Sequence, residues 1–213
     1  MIDDEASARS YVASLSDSQS MERLERLATK LVDENSRQNL IAAASVEQMW
    51  QRHIADSAQL LEHVPRETLA LPWLDLGTGA GFPGLVIAAL RPDWPVRLVE
   101  SRARRIEWLR EVVADLRLAH CEVIGMQLER VDAFPASVIS ARAFAPMPKL
   151  MDLSARFSTA ETVWLLPKGR SAAQDLANLP AQLRKLFHVE QSLTDADAGI
   201  VVSSLGSKAE RVQ

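Results

Sequence analysis
The stretch LPWLDLGTGAGFPGLVIAAL, Leu71 to Leu90, decides the fold. It runs from an apolar segment into four glycines, Gly77, Gly79, Gly81 and Gly84, and then into a second apolar segment. The pattern predicts a short strand over 71–76, a tight loop and a helix to about Leu90. Glycines after a strand let the chain turn sharply, and a missing Cβ lets a ligand approach the backbone. Pro83 suits the first turn of the helix, where its absent N–H costs nothing. The glycines at 77, 79 and 81 read GxGxG. The third glycine of the dinucleotide fingerprint GxGxxG would fall at 82, which is Phe82. That spacing favours S-adenosylmethionine over NAD as the ligand.

Downstream, the chain alternates. VRLVE (96–100), CEVIG (121–125), SVISARA (137–143) and TVWLLPKG (162–169) read as strands. A helix is expected over 102–118, and AAQDLANLPAQLRKL (172–186) includes another. FHVEQSL (187–193) and GIVVSSL (199–205) read as a closing antiparallel pair. Such alternation predicts an α/β, Rossmann-like fold: a mostly parallel sheet covered on both faces, with its ligands at the carboxyl ends of the strands. Glu100 ends the second strand, 23 residues after Gly77. An acid there can accept both ribose hydroxyls of an adenosyl group. Asp75, two residues before the loop, could face the cationic amino group of a methionyl tail or simply cap the loop. Glu100 could instead pair with Arg102 or Arg104.

Upstream, residues 1–68 read as a helical element packed on a methyltransferase-like domain of residues 69–213. SMERLERLATKLVDENS places Met21, Leu24, Leu27 and Leu31 at helical spacing. A second helix begins near Ser45, a candidate N-cap, carries Val46, Met49, Trp50, Ile54, Leu60 and Leu61, and ends at Pro65. On it, Asp56 is expected to pair with His53 or Arg52, and His53 is expected to make a structural hydrogen bond.

With 213 residues, 47% of them hydrophobic and 24% charged, the chain has the composition of a globular protein with a full core. Its acidic start, MIDDEASARS, lacks the apolar region of a secretory signal, and no apolar run is long enough for a membrane span. The lone Cys121 fits a reducing cytoplasm and reads as a core residue. One cysteine and four scattered histidines give no metal-ligand spacing. The net charge of −4 hides two basic segments, 97–110 and 142–170, each of net +3. They are either solvated helix faces or a footprint for nucleic acid.

Taken together, HIADS (53–57), LDLGTGAGFPG (74–84), LVES (98–101), RRIEWLREV (104–112), SARAF (140–144) and LPKG (166–169) resemble the bacterial small-subunit ribosomal RNA guanine-N7 methyltransferases, the glucose-inhibited division protein B family. The resemblance covers roughly residues 39–169. It implies an S-adenosylmethionine-dependent methyltransferase; the chain is expected to be cytoplasmic, monomeric and free of metal. Its partner would be ribosomal RNA or a small-subunit precursor, methylated at guanine N7. It implies that Gly77, Gly79 and Phe82 line the cofactor loop, that Glu100 binds ribose, and that Leu128 and Glu129 lie along adenine. Arg142 would sit near the cofactor carboxylate and the substrate, with Lys168 at the end of the fifth strand. The chain departs from the family pattern at Gln127, where an arginine is usual, and lacks the arginine that commonly precedes the last strand.

Guanine N7 carries a free lone pair, so its methylation requires no general base. What remains for the protein is alignment of the reacting atoms, with Arg142 and Lys168 as candidates for holding phosphate or O6. On the residues alone, a methyltransferase of a small molecule or protein stays open, as does a nucleotide-binding module without transfer chemistry.

Overall fold
A computed structural model describes residues 1–64 and 70–203. Pro65 as a helix terminator, the domain boundary at 68/69 and the last two residues of GIVVSSL lie outside the described residues.

The first two helices are set by their caps and apolar stripes. In α1 (Glu5–Ser14), the Asp4 side chain accepts from the Ser7 N–H and the Ser7 side chain returns the bond. In α2 (Ser18–Gln38), Asp17 caps the start, and Asn39, at φ 47°, ends the helix in the left-handed conformation. Leu24, Leu27 and Leu31 of α2 are fully buried, and each such burial contributes about 2 kcal/mol.

The next helix is irregular. Residues 50–63 form α3, wound as a π turn (Trp50–Ala55), an α turn (Asp56–Ala58) and a 3₁₀ turn (Gln59–His63). Ser45 is not its N-cap. It ends a separate 3₁₀ turn (Ala43–Ser45), and its hydroxyl donates to the Ala42 carbonyl. The capping falls to Glu5 of α1, whose carboxylate accepts from the Trp50 and Gln51 N–H groups at 3.0 and 2.8 Å. That long-range contact has no local sequence signal.

The sheet is made of β1 (Trp73–Leu76), β2 (Val96–Val99), β3 (Cys121–Ile124), β4 (Val138–Ala141), β5 (Val163–Gly169), β6 (Phe187–Gln191) and β7 (Gly199–Ser203). Its order is β3-β2-β1-β4-β5-β7-β6. The first five strands are parallel, and β7 runs antiparallel to β5 and β6. The chain thus leaves β1 toward β2 on one side and returns to β4 on the other, which opens a crevice at their carboxyl ends. Helices α4 (Gly84–Leu90), α5 (Ala103–Asp115), α7 (Ala172–Ala177) and α8 (Ala181–Arg184) follow the expected alternation. The sequence reading left 144–161 without an element, whereas α6 (Met147–Ser154) lies there. Its buried Met147, Leu150, Met151 and Ser154 follow a helical period, and Pro146 occupies its start.

One apolar core cluster runs from α2 (Leu24, Leu27, Leu31) through Trp50 and Ile54 of α3 to Leu85, Ile87 and Trp108 beneath the sheet. Cys121 is buried, and burial pushes its thiol up to about 12, which leaves it protonated. Among the described residues, no helix is long and apolar enough to cross a membrane.

Candidate active site
The glycine loop is pinned from within. Asp75 is fully buried in β1. One of its oxygens accepts from the Gly84 N–H at 3.1 Å and from the Thr78 hydroxyl; the other accepts from the Ser140 hydroxyl at 2.7 Å. Both oxygens are thus engaged by groups of the protein, as the capping placement expects. Burial pushes Asp75 up to about 6, although the three donors oppose that shift. Gly77 and Gly79 both have φ +61°, but their surroundings differ. A Cβ on Gly77 would lie 2.4 Å from the Phe144 ring, whereas one on Gly79 would meet Arg105 Nη1 only at 3.5 Å. Phe82 is buried, its ring stacked on the His53 ring at 5.0 Å between centroids.

Glu100 follows β2 and ties the loop to α5. Its carboxylate accepts from the N–H groups of Gly79 (3.1 Å), Ser101 (2.7 Å) and Arg102 (2.9 Å). Its guanidinium neighbour is Arg105, at 3.8 Å, and not the side chain of Arg102 or Arg104. A cavity of about 380 Å³ opens there, lined by Gly77, Glu100, Gln127, Leu128, Glu129 and Phe144 among others. Leu128 and Glu129 belong to a 3₁₀ turn (Leu128–Arg130) after β3.

Across the crevice, Arg142 follows β4 and Lys168 lies near the end of the adjacent β5. Both line a cavity of about 590 Å³, together with Phe144, Pro167 and Asp175. The Lys168 side chain is 8% exposed and its Nζ lies 3.9 Å from an Asp175 oxygen. Burial pushes its ammonium pKa down, and Asp175 opposes that. The Ala143–Ala145 segment lines this cavity and the Glu100 cavity alike.

The Arg142 guanidinium is held on three sides. It lies 5.1 Å from the Phe82 ring centroid, Nη2 is 3.3 Å from His53 Nδ1, and Nη1 is 3.6 Å from an Asp56 oxygen. Arginine can only donate, so His53 Nδ1 accepts and the ring proton sits on Nε2, which donates to the Ser45 hydroxyl at 2.8 Å. Burial first, then Arg142 and Arg52, push His53 down to about 3, so the ring is neutral.

Asp56 does not pair with His53 or Arg52. It meets Arg142, the Thr194 hydroxyl (2.9 Å) and the Gln59 amide (2.9 Å), while Arg52 reaches Asp195 at 3.9 Å. The π winding of this turn removes the i, i+3 face that an α-helix would give. Burial pushes the Asp56 carboxyl up, against the pull of Arg142. These groups border a third cavity, of about 310 Å³, between α3 and the ends of β5 and β7. Sequence reasoning missed Thr78, Ser140, Phe144 and Thr194. Thr78 lies within LDLGTGAGFPG and Ser140 and Phe144 within SARAF, so these three carried a local signal, whereas Thr194 carried none.

Comparison with known proteins agrees with this geometry. A family model described as rRNA small subunit methyltransferase G matches residues 20–200. The chain is 58% identical over 202 residues to the ribosomal RNA small subunit methyltransferase G of Erythrobacter litoralis, covering 95% of this chain and 97% of that one. It is 53% identical over 206 residues to the protein of the same name from Sphingopyxis alaskensis, covering 96% and 88%. Its fold is similar to the crystal structure of a precorrin-6y C5,15-methyltransferase from Geobacter metallireducens GS-15. The TM-score is 0.53 at 15% identity, over 79% of this chain and 92% of that one. The fold is a Rossmann-like methyltransferase fold.

Proposed function
The chain belongs to the rRNA small subunit methyltransferase G family, and from that premise we propose that it transfers the methyl group of S-adenosylmethionine to N7 of a guanine in small-subunit ribosomal RNA. The observation that carries this reading is the wall formed by Ala143–Ala145. It separates a cavity with an acid and a glycine loop from a cavity with Arg142 and Lys168.

The residues fit the cofactor. Glu100 offers an acceptor for ribose hydroxyls, Leu128 an apolar surface for adenine, and Gly79 a backbone approach that a Cβ would narrow. When bound, S-adenosylmethionine supplies an electrophilic methyl group on a sulfonium. The chain's own work is positional. Glu100 and the loop fix one partner, while Arg142 and Lys168 hold the phosphate or O6 of the other. No side chain has to take a proton before transfer, because N7 presents a lone pair. A neutral His53 at Arg142 suits that role: it orients a cation without adding charge. We propose further that residues 1–68 form a helical element on a methyltransferase domain of 69–213, supported by their continuous apolar core. The whole is proposed to act as a cytoplasmic, metal-independent monomer.

The test is transfer of labelled methyl to small-subunit particles and to naked ribosomal RNA, followed by nucleoside analysis. N7-methylguanosine is expected, with activity that weakens as salt rises. Lys168→Ala should cut transfer strongly while calorimetric affinity for the cofactor stays within a few-fold. Label in a protein, a small molecule or another base overturns the reading.

A further inference from the structure
We propose that the cavity bordered by Asp56, Arg142 and Thr194 is a guanine pocket. In it, the Asp56 carboxylate accepts from the N1–H and 2-amino groups of the target base while Arg142 donates to O6. The inference deepens the proposed function and rests on it.

The Asp56 carboxylate is braced on one side and open on the other. Its Oδ1 is taken by the Thr194 hydroxyl and the Gln59 amide, both at 2.9 Å. Its Oδ2 lies 3.6 Å from Arg142 Nη1, beyond good hydrogen-bond distance, and the side chain is 21% exposed. A partly buried carboxylate with Oδ1 held by neutral donors, and with only a long ion pair on Oδ2, has acceptor capacity left for N–H groups. Arg142 is 26% exposed beside it, its fork oriented by His53 and by the Phe82 ring. The cavity, about 310 Å³, has the size of a small-ligand cleft.

The order of groups matches one base. Asp56 borders this cavity; Arg142 borders both this cavity and that of Lys168; the latter shares Ala143–Ala145 with the cofactor cavity. Carboxylate, guanidinium and methyl source therefore follow in sequence. Along the edge of guanine the order is N1–H with the 2-amino group, then O6, then N7. Adenine has no proton on N1 and carries an amino group in place of O6. It would leave the carboxylate unpaired and aim a donor at Arg142, and such mismatches of buried polar groups give strong discrimination.

The same contact assists the reaction. The N7 lone pair forms the new N–C bond, the electrons of the broken S–C bond stay on sulfur, and the positive charge passes to the base. The base then becomes more acidic at N1, so its bond to Asp56 strengthens as the charge develops. No proton needs to leave.

The test uses ribosomal RNA with guanosine or inosine at the methylated position, once that position is mapped. Inosine lacks only the 2-amino group. Wild-type kcat/KM should favour guanosine about 10- to 100-fold, the equivalent of one hydrogen bond to a charged acceptor. Binding of the two RNAs in the presence of S-adenosylhomocysteine should show a preference of the same sign. Asp56→Asn should lower guanosine turnover and bring the ratio close to one, with affinity for S-adenosylhomocysteine within a few-fold as the control for folding. Equal use of inosine and guanosine by the wild type, a measurement that needs no variant, overturns the pocket. So does an unchanged ratio in Asp56→Asn. N7-methylguanosine formed without discrimination sinks this inference alone; methylation of another atom sinks the proposed function with it.

Discussion

The two sides of the crevice hold their charged groups by different means. On the β1–β2 side, Glu100 is fixed by three backbone N–H groups, those of Gly79, Ser101 and Arg102. On the β4–β5 side, Arg142 is fixed mainly by the side chains of His53, Asp56 and Phe82, and donates to one backbone group, the Arg52 carbonyl, at 3.4 Å. Backbone donors persist whatever side chains surround them, because the fold holds them in place. A side-chain network is lost piece by piece, and each loss strands a partner. Substitutions on the β4–β5 side should therefore disturb the fold as well as the chemistry. Those on the β1–β2 side should fall mainly on the ligand.

The largest effect is expected at Arg142. Arg142→Ala removes the counter-charge of the partly buried Asp56 carboxylate and the donor to His53 Nδ1. Stranding that charge should cost about 3 kcal/mol, read as a lower urea midpoint at an unchanged slope. A loss under about 0.5 kcal/mol, as for an exposed ion pair, would erase the contrast between the two sides.

Glu100→Ala comes next. Cofactor affinity should weaken by about 2 kcal/mol, the loss of hydrogen bonds to a charged acceptor, measured by titration calorimetry. Global stability should fall by less than in Arg142→Ala, since the three N–H groups sit at a loop and at the start of α5, within reach of water. Equal affinity in variant and wild type would leave Glu100 with a purely structural task, to join the loop to α5.

This contrast also explains what could be read in the sequence. The β1–β2 side is built from short chain segments: glycines at fixed spacing, an acid 23 residues on, and a turn after β3. The glycines and the acid have local signals, so the positions of Gly77, Gly79 and Glu100 at strand ends are legible, whereas Leu128 and Glu129 rest on the family resemblance. Parallel strands buried on both faces gave the architecture for the same reason. Asp75 stands two residues before the loop, but sequence cannot tell whether a carboxylate at the end of a strand turns in or out. On the β4–β5 side, Asp56 meets Thr194 across 138 residues and Trp50 is capped by Glu5 across 45. No spacing rule encodes such pairs. The i, i+3 pairing expected for Asp56 failed because the helix is π-wound there, and residue types alone do not announce that winding. The helix over Met147–Ser154 has its apolar period in the sequence, but it is short and has Pro146 and Pro148 at its start, which mask it.

The smallest effect is a pH dependence that isolates His53. Its ring is pushed down to about 3 in the folded chain, against an ordinary value of 6.5. Between those values the unfolded chain takes up a proton that the native chain refuses, so acid favours unfolding. The contribution of His53 is thus fully present above pH 6.5 and is lost as pH falls toward 3. From pH 7.5 to 5.5, wild type should lose roughly 1 kcal/mol more stability than His53→Asn. Asp75, pushed up to about 6, works in the opposite sense, since its contribution is lost as pH rises through that value. His63 is also pushed down by burial and adds to the acid loss. Both are present in wild type and variant, so the difference between the two proteins reports His53 alone. Chemical denaturation of both at the two pH values provides the measurement. Parallel losses would mean that the ring can accept a proton where it stands, beside Arg142. The guanidinium would then need another brace, and the side-chain network of the β4–β5 side would be looser than its distances suggest. A larger loss in wild type, with methyl transfer free of any histidine titration between pH 6 and 8, would fix the ring as a neutral acceptor that aims Arg142.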